Sequence, residues 1–340
     1  MSTAIQWTDE TWNPVTGCSR VSEGCRHCYI ERTPPFRMGG RKLGDPVQLH
    51  PERLDQPLRW TKPRRVFVNS LSDLFHEDVP DEFIDRIFAV MTLAHNHTFQ
   101  ILTKRPERLR QYCTRLSDRY VDASLAITRT AWWDDHARSS PCAVGYIEEA
   151  IEKGPLPNVW LGVSVEDQKT ADERITILLQ TPAAVRWISA EPLLGPVDLD
   201  EWVKNVVFCN KCGYFSRAPI GSTKHDGCNY MAATTRRIDW VVAGGESGPG
   251  ARPCDVVWIR SIVEQCKAAA VPVFVKQLGS NSNHRVPGEV HAAMTAAPIE
   301  CKHGYDVCPT CDRRSDKMWD KKGGDPAEWP EDLRVRECPR

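Results

Sequence analysis

Short apolar runs that stop abruptly at polar residues alternate with helix-period stretches through most of this chain. That alternation limits the fold more than any other feature. Arg65-Val66-Phe67-Val68-Asn69 reads as a buried strand, and Pro80-Asp81-Glu82 opens a helix with Ile84, Ile87, Phe88 and Met91 on one face. Thr98-Phe99-Gln100-Ile101-Leu102 is a second strand, followed from Pro106 by a helix burying Leu109, Tyr112, Cys113 and Leu116. The third, Val159-Trp160-Leu161-Gly162-Val163, precedes a helix begun by Asp167 that carries Ala171, Ile175, Leu178 and Leu179. Val185-Arg186-Trp187-Ile188 is the fourth and Ile238 to Ala243 the fifth, with a helix bearing Ile259, Ile262, Val263 and Cys266; Pro272-Val273-Phe274-Val275 is the sixth.

Strands separated by helices pair in parallel through right-handed crossovers. With a first strand near Trp7 to Trp12, the expectation is an α/β fold: a full or partial (β/α) TIM-like barrel of about six to seven parallel strands. An open doubly wound sheet is the rival. Either way, ligands gather at the carboxyl ends of the strands. Polar residues concentrate there: Asn69, Ser70, Asp73, Lys104, Arg105, Ser164, Glu166, Ser189, Glu191, Glu246, Ser247, Lys276 and Gln277. Helix capping accounts for Asp73 and Asp167, but less well for a Lys or Gln directly behind an apolar strand. Two stretches break the pattern, residues 204–237 and 279–318. Both read as cysteine-containing insertions on a single barrel domain spanning 1–340.

The chain carries 44 basic and 45 acidic residues, a formal net charge of −1, which argues against coating nucleic acid by charge alone. The basic run Lys62-Pro63-Arg64-Arg65 precedes a strand and reads as a solvated face. No basic n-region with an apolar h-region opens the sequence, and no apolar run reaches the ~18 residues that span a bilayer. A cytoplasmic protein without membrane partners is expected. In a reducing compartment, 14 cysteines are not a disulfide framework, and metal binding is the leading explanation for the clustered ones. Cys113 and Cys266 fall in apolar helical stripes and read as core; Cys142, Cys254 and Cys338 have no partner at ligand spacing.

The first cluster runs from Trp12-Asn13-Pro14-Val15-Thr16-Gly17-Cys18 to Cys25-Arg26-His27-Cys28-Tyr29, a C-x6-C-x2-C arrangement. Three thiolates from one loop suit three corners of a [4Fe–4S] cluster, leaving one iron open to chelate S-adenosylmethionine through its amino and carboxylate groups. Gly17 and Gly24 let the backbone turn around such a bulky group. A zinc site completed by His27 or a distant ligand is the structural alternative, since C-x2-C is shared with zinc knuckles.

This pattern resembles the three-Cys-motif proteins of phages and bacteria, a family of uncharacterised function related to the radical S-adenosylmethionine superfamily. The resemblance is carried by Trp12 through Tyr29, Asn69-Ser70-Leu71-Ser72-Asp73-Leu74-Phe75, Leu102-Thr103-Lys104-Arg105-Pro106, Gly244-Gly245-Glu246-Ser247-Gly248-Pro249 and Lys276-Gln277. Gly323-Gly324-Asp325-Pro326 and Glu328 to Arg334 extend it to the end of the chain. The first cysteine gap is six residues where the superfamily pattern has three. The resemblance implies radical chemistry on S-adenosylmethionine, an electron donor protein and a companion three-Cys-motif partner. It also implies cofactor contacts from Gly244, Gly245, Glu246 and Ser247, because a Gly-Gly-Glu segment in that superfamily meets the cofactor's amino group. Here that segment follows a late strand rather than an early one, and a tight turn capped by Ser247 or Asp255 is the structural alternative.

Lys104, Glu191 and Lys276 are the expected substrate-orienting and catalytic groups, and the lysines suit a carboxylate or phosphate. A nucleotide or nucleic-acid substrate is one expectation. Cys209, Cys212, His225 and Cys228 fit a Cys3His zinc site. Cys301, Cys308 and Cys311 repeat the first motif's gaps, with His303 as a fourth ligand, and fit zinc or a second cluster. A ribbon of Cys209/Cys212 with Cys308/Cys311 is a third arrangement. Beside the enzyme stand two alternatives: a zinc-binding nucleic-acid or protein interaction module without catalysis, and a barrel that keeps its cluster but not turnover.

Overall fold

A computed structural model describes Thr3 and residues 5–115, 154–204, 206–209, 215–216, 233–283 and 324–339. Seven strands form one parallel sheet: β1 (Glu10–Trp12), β2 (Arg65–Val68), β3 (Thr98–Thr103), β4 (Val159–Val165), β5 (Val185–Ala190), β6 (Trp240–Gly244) and β7 (Val273–Gln277). The longer helices among the described residues are α1 (Asp81–Leu93), α2 (Pro106–Arg115), α3 (Gln168–Gln180) and α4 (Val256–Ala268). Every neighbouring pair is parallel, and the strands follow one another across the sheet in chain order. A doubly wound sheet reverses direction at a switch point. This one never does. The sheet curls into a half-barrel, with β1 and β7 at its edges.

Side-chain alternation along the strands separates two faces. Outward residues such as Val66, Val68, Phe99, Ile101, Leu161, Val163, Ile188, Val241 and Val275 join the helix stripes, Ile84, Ile87, Ile175, Leu178, Ile259 and Ile262, in one continuous core. Inward residues Phe67, Trp160, Trp187, Trp240, Val242 and Phe274 form a second cluster with Trp7. Its rings meet edge-on or tilted, with Trp7 4.8 Å from Phe67 and 5.2 Å from Trp187 between centroids. Gly162 makes this layer fit: a Cβ there would lie 2.5 Å from the Trp187 ring.

The edge at β7 is covered by the chain's end. Val275 N donates to Val335 O and Glu337 N to Val273 O, both at 2.9 Å, while the Trp240 indole donates to Glu337 O. Trp329 and Leu333, from the same terminal stretch, are buried. Pairing and covering an edge in this way removes a site for intermolecular strand addition.

Two expectations need correction. Asp73 caps no helix; Pro80 precedes α1, and the Asp73 carboxylate serves the mouth described below. Arg64 and Arg65 are not simply solvated. Arg64 pairs with Glu10 at 2.7 Å, and Arg65, inside β2, reaches Asp9 and the Cys338 sulfur, because β1 lies alongside them. Asp167 does cap α3 and Asp255 caps α4. Between β5 and β6, the backbone of residues 206–209, 215–216 and 233–236 forms a small antiparallel sheet ending one strand at Cys209. Cys212, His225, Cys228, Cys301, His303, Cys308, Cys311 and Cys142 lie outside the described residues. No described helix is long and apolar enough to cross a membrane.

Candidate functional site

Continuing the strand alternation one step past each apolar inward residue brings polar groups into the carboxyl-end mouth. Leu102 leads to Lys104 just past β3, Gly162 to Ser164 in β4 and Glu166 just past it, Trp187 to Ser189 in β5 and Glu191 just past it, and Phe274 to Lys276 in β7. The predicted trio of Lys104, Glu191 and Lys276 does come together. Lys104 Nζ donates to Ser164 Oγ at 2.7 Å, Ser164 Oγ donates to Glu191 O at 3.2 Å, and Lys276 Nζ donates to Glu191 Oε1 at 2.6 Å. Gln277 Nε2 donates to the same Glu191 oxygen.

The loop bearing Cys18, Cys25 and Cys28 crosses this mouth. Its approach is tied to the turn after β2: Asn13 Oδ1 accepts from Ser70 Oγ and Leu71 N, Val15 N donates to Asn69 Oδ1, and Gly17 N donates to Leu71 O. Gly17 is a required glycine, with φ +101° and a Cβ position 2.8 Å from Arg41 Nη2. Cys25 is buried; Cys18 and Cys28 are partly so.

Three carboxylates, following β2, β4 and β6, hold the loop. Asp73 accepts from Thr103 Oγ1 at 2.7 Å and Lys104 N at 3.0 Å and pairs with Arg105 at 3.2 Å. Arg105 in turn donates to Ser19 Oγ at 2.7 Å and places Nη1 3.9 Å from Cys18 Sγ. Glu166 accepts from Ser22 Oγ at 3.0 Å and from Arg174 at 3.1 Å, and lies so close to Gly24 that a Cβ would clash with its carboxylate. Glu246 accepts from Arg252 Nη2 at 2.7 Å, Arg252 N at 2.8 Å and His27 Nδ1 at 3.1 Å, while Arg252 also donates to Glu23 O. Burial pushes the Glu246 pKa up, but the Arg252 and His27 hydrogen bonds outweigh it and hold it at about 2.

Burial, then the Asp73 charge, push the Cys18 thiol up to about 12 despite Arg105; burial also raises Cys28. Such thiols ionise at neutral pH only beside a strong compensating charge, and a metal supplies one. No group of three or more His, Cys, Asp or Glu that could hold a metal ion is present among the described residues.

The Gly-Gly-Glu-Ser turn meets the cysteine loop, since Arg32 donates to Ser247 O at 3.2 Å. Its glycines also pack closely against the neighbouring strand. A Cβ on Gly245 would lie 2.3 Å from Leu278 O, and one on Gly244 3.1 Å from Gln277 O. Sequence inspection also missed Arg252, Arg174 and Ser22. For Arg174 a signal existed, an arginine inside the apolar stripe of Ala171, Ile175 and Leu178, where a charge stays only if paired.

A family model described as "Protein of unknown function (DUF5131)" matches residues 2–324. The chain belongs to this family. No curated protein and no solved structure matches it. The DUF5131 match takes in the cysteine loop, all seven strands and the three carboxylates that brace the mouth.

Proposed function

We propose that this DUF5131 chain is an iron–sulfur enzyme of the radical S-adenosylmethionine type, with Cys18, Cys25 and Cys28 as ligands of a [4Fe–4S] cluster. The observation that carries the reading is the placement of three cysteines on one braced loop across the carboxyl-end mouth of a parallel half-barrel. The donor set is three soft thiols on one loop, the ligand type such a cluster takes, and His27 between Cys25 and Cys28 is engaged at Nδ1 by Glu246. Each thiolate of such a cluster binds its own iron, so the ligands need not converge as they would on a single ion.

When bound, the cluster and S-adenosylmethionine supply reductive radical chemistry, which the protein itself cannot perform. The chain's own residues provide placement. Asp73 through Arg105, Glu166 through Ser22, and Glu246 through Arg252 and His27 fix the loop. Lys104, Glu191 and Lys276 form the floor against which a substrate is oriented, and the tryptophan layer beneath them keeps water out of the barrel. Gly244, Gly245, Glu246 and Ser247 are the cofactor contacts of the turn in this scheme, with Glu246 oriented by Arg252.

The same reading carries a cytoplasmic location, an electron donor protein, a companion three-Cys-motif partner and zinc at the later cysteine groups. Its test is incubation of reduced, anaerobically purified protein with S-adenosylmethionine. Formation of 5′-deoxyadenosine supports turnover. Stoichiometric zinc without iron supports a structural zinc module instead.

A further inference from the structure

The mouth offers more hydrogen-bond donors than it accepts. An ammonium carries three donors. Lys104 spends them on Ser164 Oγ at 2.7 Å and Glu166 Oε1 at 3.4 Å, and Lys276, among the described residues, donates to Glu191 Oε1 at 2.6 Å.

The acceptors are mostly committed. Glu166 takes Arg174, Ser22 and Lys104; Glu191 Oε1 takes Lys276 and Gln277, leaving Oε2. Among these five side chains, Lys104, Arg174 and Lys276 are cationic and Glu166 and Glu191 anionic. Both lysine side chains are only partly exposed, 19% and 26%, in a setting where a charge-assisted hydrogen bond is stronger than at an open surface.

We propose that this floor is an oxyanion subsite, seating a carboxylate or phosphate group of the substrate on Lys104 and Lys276. The inference rests on the reading above in taking the substrate to enter this mouth. The subsite is nevertheless built from strand-end residues rather than from the cysteines. Lys276 holds the anion from β7 and Lys104 from β3, so a bound group spans the mouth and lies over the Ser164–Glu191 link between them.

The experiment titrates full-length protein with inorganic phosphate and, separately, with succinate, following tryptophan fluorescence from the layer below and binding heat. It is run on anaerobic protein and again after metal removal by a chelator. Saturable binding is expected, weakened about tenfold or more in Lys276→Met and in Lys104→Met and regained in Lys276→Arg. Preference for phosphate or for succinate assigns the substrate's anionic group. Circular dichroism confirms that each variant is folded, and Lys276→Gln repeats the test with a polar replacement. Binding that persists without iron supports the subsite even where the cluster reading fails. Iron-bearing protein that binds neither anion, or methionine variants that bind as the wild type does, overturns the subsite and leaves the cluster reading standing.

Discussion

Arg105 joins Cys18 to Asp73: its Nη1 lies 3.9 Å from the Cys18 sulfur and 3.2 Å from the Asp73 carboxylate. One guanidinium thereby connects the cysteine loop to the turn after β2, and a further bond to Ser19 Oγ fixes its plane. The loop is positioned by the barrel rather than by its own short turns.

Replacing Arg105 by Leu strands the Asp73 charge in a site where both side chains are about one-tenth exposed or less. Breaking a buried pair in this way costs about 3–5 kcal/mol. Urea unfolding of Arg105→Leu should show that loss. Arg105→Lys, which keeps the charge but not the fork, should fall between the two. Unchanged stability in Arg105→Leu contradicts the bracing role.

Gly162→Ala tests the inner aromatic layer. The added Cβ would sit 2.5 Å from the Trp187 ring, which also packs on Trp7 and Trp240 and has little freedom to move. Overpacking of this kind costs about 1–3 kcal/mol. A lowered melting temperature with altered near-ultraviolet circular dichroism is expected; a wild-type spectrum and melting point would show that the layer is loose.

The brace at Glu246 has a definite pH signature. Its pKa falls from 4.5 to about 2 on folding, so its contribution is complete above pH 4.5 and disappears as the pH drops through about 2. In acid titrations monitored by fluorescence, Glu246→Gln should lose stability at neutral pH and show a shallower acid slope than the wild type. Parallel slopes would mean the Arg252 pair contributes nothing to the folded state.

Much of this architecture was legible in the sequence for a physical reason. Apolar runs such as Val159 to Val163 and stripes such as Ala171, Ile175 and Leu178 have the two periods that strands and buried helix faces impose. The same periodicity carried Lys104, Glu191 and Lys276 to one mouth. Pairings across the mouth were not legible. His27 and Glu246 are 219 residues apart, and Glu166 reaches back 144 residues to Ser22, separations that no local pattern encodes. Asp73 looked like a cap because caps and long-range carboxylate anchors use the same residue types. The close approach of Gly244 and Gly245 to Gln277 and Leu278 was likewise not legible, because any close backbone approach demands the same missing side chain.

The most direct measurement is iron and acid-labile sulfide in oxygen-free preparations of the wild type and Cys25→Ala, with zinc measured alongside. The account predicts a brown wild-type protein carrying ~4 irons and ~4 sulfides per chain at this loop, and loss of both in Cys25→Ala with the fold retained. Wild-type protein holding zinc and no iron, or iron that survives the substitution unchanged, contradicts it.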